Sequence, residues 1–166
     1  MQAVKTTVNG SNAKTNLRSG CPVSLGLDVF GDRWTLLIVR DLMFSGKRHY
    51  REMLVSDEHI SSNILADRLK MLLAEGIITK SEDPSHQQKV VYSLTEKGVD
   101  LLPILMAISD WSHRHRPVGE AYRPATPLRE PHHPVVWEQQ MDEVRAAHLV
   151  PDAPEVKRPD GHTARF

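Results

Sequence analysis

From residue 61 to residue 75 the chain reads Ser-Ser-Asn-Ile-Leu-Ala-Asp-Arg-Leu-Lys-Met-Leu-Leu-Ala-Glu, and Gly76 follows. At 100° per residue, Leu65, Leu69, Leu72 and Leu73 fall on one side of a helix, while Ser62, Asn63, Ala66, Asp67, Lys70 and Ala74 lie on or near the other. Such a helix must bury its leucine side and present short polar side chains outward. Gly76 suits the stop, since a helix end commonly needs a left-handed residue. Ahead of it, residues 49–55 predict a short helix with Tyr50, Met53 and Leu54 inward, and residues 56–60 a turn. Short helix, turn and longer amphipathic helix form the helix-turn-helix pattern.

The flanking segments complete a small domain. Val23, Leu25, Leu27, Val29 and Phe30 predict a short apolar helix ending at Gly31, and residues 34–44 a second, apolar almost all round and so buried on most sides. Ser45-Gly46 breaks that helix. Downstream, residues 77–81 and 90–94 read as strands flanking a polar tip at 83–89. Pro84 and the polar tip suit a hairpin loop longer than two residues, a "wing". Thr95 then caps a long helix from 96 to about 115, with a kink expected near 99–103 because Pro103 lies inside it. Its stripe of Leu101, Leu102, Leu105, Ile108 and Trp111 is more apolar surface than one core of roughly 95 residues buries, so a partner chain is the natural cover.

Composition separates three regions. Residues 1–20 are polar and aperiodic and read as a flexible arm; 21–116 hold the hydrophobic patterning; 117–166 contain eight of the eleven prolines, which argues against a packed core there. One more helix is expected at 135–148, with Trp137, Met141 and Val144 on one face. Docking on its own domain, on another subunit or on another protein all remain open, as does a marginal helix in a disordered tail. No apolar run is long enough to span a bilayer and no secretory leader is visible, so a cytoplasmic protein without membrane contact is expected.

Taken together, these segments resemble the HxlR-type winged helix-turn-helix regulators, relatives of the MarR-type regulators. The resemblance runs through Cys21-Pro22-Val23, Gly31-Asp32-Arg33-Trp34-Thr35, residues 46–53 and 60–69, Glu75-Gly76-Ile77, residues 92–98, Leu101-Leu102-Pro103 and Trp111. Two departures are His49-Tyr50, where the family has Arg-Phe, and a wing tip of Gln87-Gln88-Lys89, where it has prolines and arginine. The implied fold is mainly α with a small β-hairpin, a dimeric winged helix-turn-helix. The implied function is transcription control, as a homodimer built from the first and last helices with two recognition helices in successive major grooves of double-stranded DNA.

On that reading, a helix in the major groove reads base edges with short polar side chains near its N-terminal end. Ser61, Ser62, Asn63, Ala66, Asp67, Arg68 and Lys70 form this face. Asn63 can pair with adenine, Asp67 can accept from cytosine, and Lys70 suits a phosphate. Arg68 points toward the inner side: it either reaches out to a phosphate or pairs with a core-edge acid such as Glu52 or Glu75. Lys47, Arg48, His49 and Arg51 suit the DNA backbone, and His86, Gln88 and Lys89 at the wing tip the minor groove or backbone. For each group the alternative is ordinary solvated surface. Leu101, Leu105, Ile108 and Trp111 are the expected dimerisation residues.

Cys21, the lone cysteine, precedes Pro22 at a helix start, where the dipole lowers a thiol pKa. It is either a thiol sensor of an oxidant or other small effector, as in some relatives the resemblance brings in, or a small buried interface residue. His113, His115, His132, His133 and His148 set out no complete tetrahedral spacing, so no metal and no cofactor are expected. No phosphate loop, metalloprotease helix or nucleophile elbow occurs, so the chain does not read as an enzyme. Two rivals remain open, the first of them suited by the zero net charge and the Trp137 tail. One is a protein-interaction module; the other is a regulator gated by a small ligand held between the long helix and the first helices.

Overall fold

The computed structural model describes residues 19–83, 86–122 and 134–149. The expected N-terminal arm lies outside the described residues except for its last two positions. The chain is mainly helical with a single two-stranded antiparallel hairpin among the described residues.

Helix α1 (Pro22–Phe30) starts on proline, whose fixed φ is preset for a first turn, and ends where the Gly31 N–H donates to the Leu27 carbonyl. Asp32 sets the start of α2 (Thr35–Phe44): its carboxylate accepts from the Trp34 N–H (2.7 Å), the Thr35 N–H (3.1 Å) and the Thr35 hydroxyl. Trp34, expected inside this helix, therefore sits just ahead of it. Helix α2 buries Thr35, Ile38, Val39, Asp41, Leu42 and Met43.

Helix α3 (Tyr50–Leu54) is shorter than the 49–55 expected. The Glu52 carboxylate reaches back to accept from the Arg48 and His49 N–H groups (both 2.8 Å), which holds His49 extended as the cap. Helix α4 (Ser62–Ala74) is capped by the Ser61 hydroxyl, which accepts from Ile64 N–H, and it buries Leu65, Leu69 and Leu72. Gly76 ends it at φ +65°; its N–H donates to Leu73 and that of Ile77 to Leu72, so the last carbonyls are satisfied as the chain turns into the sheet.

Strands β1 (Ile78–Asp83) and β2 (His86–Leu94) pair from Ile78↔Leu94 to Glu82↔Val90, with an irregularity before Asp83↔His86. The pairing runs further out than the expected strands and leaves two residues, not a long loop, between them. Polar side chains at the tip signalled solvent, which does not break a backbone ladder. The expected single kinked helix is two helices, α5 (Glu96–Val99) and α6 (Leu102–His115). Pro103 falls in the first turn of α6, where its missing N–H costs nothing. Thr95 caps α5 through Gly98 N–H, and Gly98 packs so close to β1 that a Cβ there would overlap the Ile77 carbonyl oxygen.

The core joins Val39 and Leu42 of α2, Met53 of α3, Leu65 and Leu72 of α4, Ile77, Ile78 and Leu94 of the hairpin, and Val99 and Leu102. Leu101, expected on a dimer face, is 7% exposed and belongs to this core: with α5 and α6 separate, it sits at the bend between them and points inward.

After a 3-10 turn (Glu120–Tyr122) comes α7 (Pro134–His148), which docks on its own domain against α5 and α6. Val144 is buried, Met141 packs on the core and Arg145 pairs with Glu96 (3.0 Å). His148 plugs the far end. Its Nδ1 accepts from the Leu94 N–H (3.0 Å) and its Nε2–H donates to the Leu42 carbonyl (3.0 Å). The proline-rich composition of 117–166 thus does not keep this stretch from packing, because no proline interrupts the helix after Pro134. No helix among the described residues is long and apolar enough to cross a membrane.

Candidate nucleic-acid interface

Leu65, Leu69 and Leu72 anchor α4 so that Ser61, Ser62, Asn63, Ala66, Asp67 and Lys70 are exposed together. The Tyr50 hydroxyl donates to the Ser62 carbonyl (2.7 Å), tying the first turn of α4 to α3. Its unpaired N–H groups and the short side chains around them therefore sit on a braced, solvent-facing helix end, a geometry suited to an anion or a base edge.

Arg68 takes neither partner expected from the sequence. Its guanidinium bridges Asp32 and Asp67 (both 3.2 Å), while Glu52 serves His49 and Glu75 faces Lys97. Asp32 is the positioning residue that sequence reasoning passed over. An aspartate three residues ahead of a helical threonine was a readable cap signal; its second role, gripping α4, is not. Burial works to raise the Asp32 pKa, but the Thr35 and Trp34 hydrogen bonds and the Arg68 charge outweigh it and hold the carboxyl below its ordinary range.

The cations ahead of α3 divide. Lys47 turns inward to Asp41 (3.0 Å) and Ser56 (2.7 Å). Arg48 lies across β2 and the end of α7, donating to the Tyr92 carbonyl (3.1 Å), the Ser93 hydroxyl and the Ala147 carbonyl (3.1 Å). Both of these cations, expected at the DNA backbone, are engaged by internal acceptors that a sequence cannot reveal. His49 sits between Glu52 (3.0 Å) and Asp83 (3.1 Å). Arg51 and Lys70 are exposed and make no ion pair among the described residues. In the wing, Lys89 is exposed, while the side chains of His86 and Gln88 lie outside the described ones.

Two helices leave apolar side chains in solvent: Val23 (69% exposed) and Leu27 (55%) on α1, Ile108 (47%) and Trp111 (53%) on α6. Leu105 is half-buried. Cys21 is exposed and free at the N-cap of α1, its thiol pKa lowered by the Ser24 and Val23 backbone N–H groups. Among the described histidines, His113 is bonded to the Ser109 and Tyr122 carbonyls and His115 packs beside Trp111. No group of residues suited to a metal occurs among the described residues, and His132 and His133 lie outside them.

The model of the HxlR-like helix-turn-helix family matches residues 29–120. The chain is 35% identical over 106 residues to the uncharacterized HTH-type transcriptional regulator YybR of Bacillus subtilis, covering 64% of this chain and 84% of that one. Among solved structures it is similar to the redox regulator HypR in its oxidized form, with 35% identity and a TM-score of 0.52 over 59% of this chain and 100% of the other. A second is the reduced form of the transcriptional regulator YodB from B. subtilis, at 29% identity and a TM-score of 0.50 over 61% and 100%.

Proposed function

This chain belongs to the HxlR-like helix-turn-helix family of transcription regulators, which is not an enzyme family, and from that premise we propose that it works as a homodimeric repressor reading a near-palindromic operator with α4. The carrying observation is the exposed N-terminal half of α4, braced by Tyr50 and Arg68 while its leucines hold the core. Asn63 and Asp67 read base edges; Arg51, Lys70 and Lys89 meet phosphates, with His49 beside them. Two half-sites lie about one helical turn apart.

Binding of a fluorescent operator, selected from genomic fragments, tests this across a salt series. Affinity should fall steeply with salt, with a log–log slope of about −0.9 per phosphate neutralised. The Asn63→Ala variant should lose about 1–3 kcal/mol of specific binding and little non-specific binding. Equal losses on both would make Asn63 a backbone contact instead.

The exposed apolar residues of α1 and α6 supply the dimer surface, with Trp111 at its centre. Trp111→Asp should weaken self-association by about 30-fold or more in sedimentation equilibrium, the effect of losing an aromatic anchor. An unchanged association constant would place the interface elsewhere.

A thiol switch is supported by one observation, the exposed Cys21 thiol at the head of α1 with its pKa lowered by backbone N–H groups, next to the proposed dimer surface. HypR is described as a redox regulator. Complete alkylation of Cys21 should change operator affinity; identical binding curves before and after would remove the switch.

A further inference from the structure

Arg48 and His49, side by side ahead of α3, hold the wing at two heights. At the root, the Arg48 guanidinium donates to the Tyr92 carbonyl and the Arg48 carbonyl accepts from the Tyr92 N–H (2.9 Å). Near the tip, His49 Nε2 meets the Asp83 carboxylate (3.1 Å). Asp83 lies outward of Lys80, the register partner of Tyr92, by roughly 10 Å at the usual strand rise. The root tie does not titrate near neutrality, because a guanidinium keeps its proton and the other bond is backbone. The tip tie does.

The His49 ring has a carboxylate at each nitrogen, Glu52 at Nδ1 (3.0 Å) and Asp83 at Nε2 (3.1 Å). An ionised carboxylate only accepts, so making both bonds takes a proton on both nitrogens, the imidazolium form. A neutral ring has one N–H, and its remaining lone pair would face a carboxylate oxygen. Burial works to raise the Glu52 pKa, but the His49 and Arg48 N–H groups and then the His49 ring outweigh it and keep Glu52 ionised. Glu52 holds those two N–H groups whatever the ring does, so the α3 cap survives loss of the ring proton. The Asp83 contact is the one that weakens, through loss of either its hydrogen bond or its charge attraction. Asp83 keeps only 12% of its side chain exposed, which makes the pair stronger than a fully solvated one. Of the neighbouring charges, the Arg48 guanidinium turns away to β2 and α7, and His86 pairs with Asp83 in register.

We propose that His49 is a positioning residue for the wing: as an imidazolium it holds the wing tip against α3 and sets where Lys89 meets DNA, and on losing its proton it lets the tip go. The tie stands on the geometry; its effect on DNA rests on the reading of this chain as a DNA-binding regulator. Histidine is the side chain that ordinarily changes charge between pH 5 and 8, so the tip is held at the acid end of that range and freed above it.

The first test is hydrogen exchange on the full chain with no DNA present, each rate corrected for its intrinsic pH dependence. From pH 6 to pH 8.5, protection at residues 81–83 and 86–91 should fall about fivefold, the effect of one partly exposed ion pair, while Tyr92 and Ser93 keep theirs. His49→Arg, whose charge does not titrate, should remove the fall. Asp83→Asn should also remove it, with protection at the lower level throughout; this variant leaves the α3 cap untouched and keeps the test usable if a change at position 49 does not fold. An equal fall in the His49→Arg chain, which retains His86, overturns the proposal, and so does native protection that is the same at both pH values. The second test is operator binding over the same range, where the native chain should lose about fivefold more affinity than His49→Arg. Equal losses overturn the effect on DNA. The exchange result needs no operator, so a chain that does not bind DNA and a wing that His49 does not hold are separate findings.

Discussion

Acidification from pH 7 to pH 4 is expected to lower the unfolding free energy by about 3 kcal/mol through His148 alone. The imidazole, at the end of α7, is half-buried against Leu42 and Leu94, and its pKa is pushed down to about 4 from 6.5, first by loss of water and then by the Arg48 charge, with the Leu42 carbonyl acting the other way. The geometry gives the same sign. Nδ1 already accepts the Leu94 N–H, so a second ring proton would point at a donor. A histidine whose folded-state pKa is depressed takes up its proton more readily when unfolded. Its stabilisation is therefore complete above pH 6.5, declines by about 1.4 kcal/mol per unit below that, and flattens under pH 4. Urea titrations at several pH values on the native chain and on His148→Leu check this. The variant should be less stable at pH 7, having left two backbone groups unbonded, but should lose the slope between pH 6.5 and 4. Parallel pH dependences for the two proteins would show that His148 is not the titrating group. Asp32, Asp41, Glu52 and Glu58 all have lowered pKa values. Their own contributions begin to fade only below about pH 5, so the upper part of the histidine window stands apart.

Asp41→Ala is expected to remove about 3–5 kcal/mol, the cost of breaking a buried charged cluster by taking out one side. Asp41 is 3% exposed at the end of α2. Burial works to raise its pKa, but the Ser56 hydroxyl, the Arg40 guanidinium and Lys47 overcome that and hold it ionised. These partners come from three places: α2 itself, the α2–α3 connection and the turn before α4. Arg40 keeps Glu58 in the variant, whereas Lys47 and Ser56 lose their common acceptor. The denaturation midpoint should fall with little change in slope. A loss under about 1 kcal/mol would mean that water replaces the carboxylate and that Lys47 is free to turn outward.

The parts of this fold readable from residues alone are those governed by local rules. The leucine spacing of α4, the Thr95 cap and the Gly76 stop each depend on neighbours within a turn or two, and the structure places them there. Errors arose where a distant partner decides. Lys47 and Arg48 look like free surface cations until Asp41 and the Tyr92 and Ala147 carbonyls are brought to them. Leu101 shares a periodic stripe with Trp111, yet the break after Val99 turns it into the core. The Asp32–Arg68 contact spans 36 residues and has no local signature. The side of α7 that meets the domain was visible in Met141 and Val144; its docking place was not.

The His148 contacts to Leu42 and Leu94 have a further consequence during synthesis. The ribosome delivers the helix-turn-helix, the wing and α6 before α7 exists. Until residue 148 has emerged, a delay of roughly two to seven seconds after the end of α6 at ordinary elongation rates, the Leu42 carbonyl and the surface that Val144 will cover stand open to chaperones and to other nascent chains. A premature stop between α6 and α7 would leave that state permanent, with the Leu42 carbonyl and the Leu94 N–H lacking the His148 ring and the surface under Val144 uncovered.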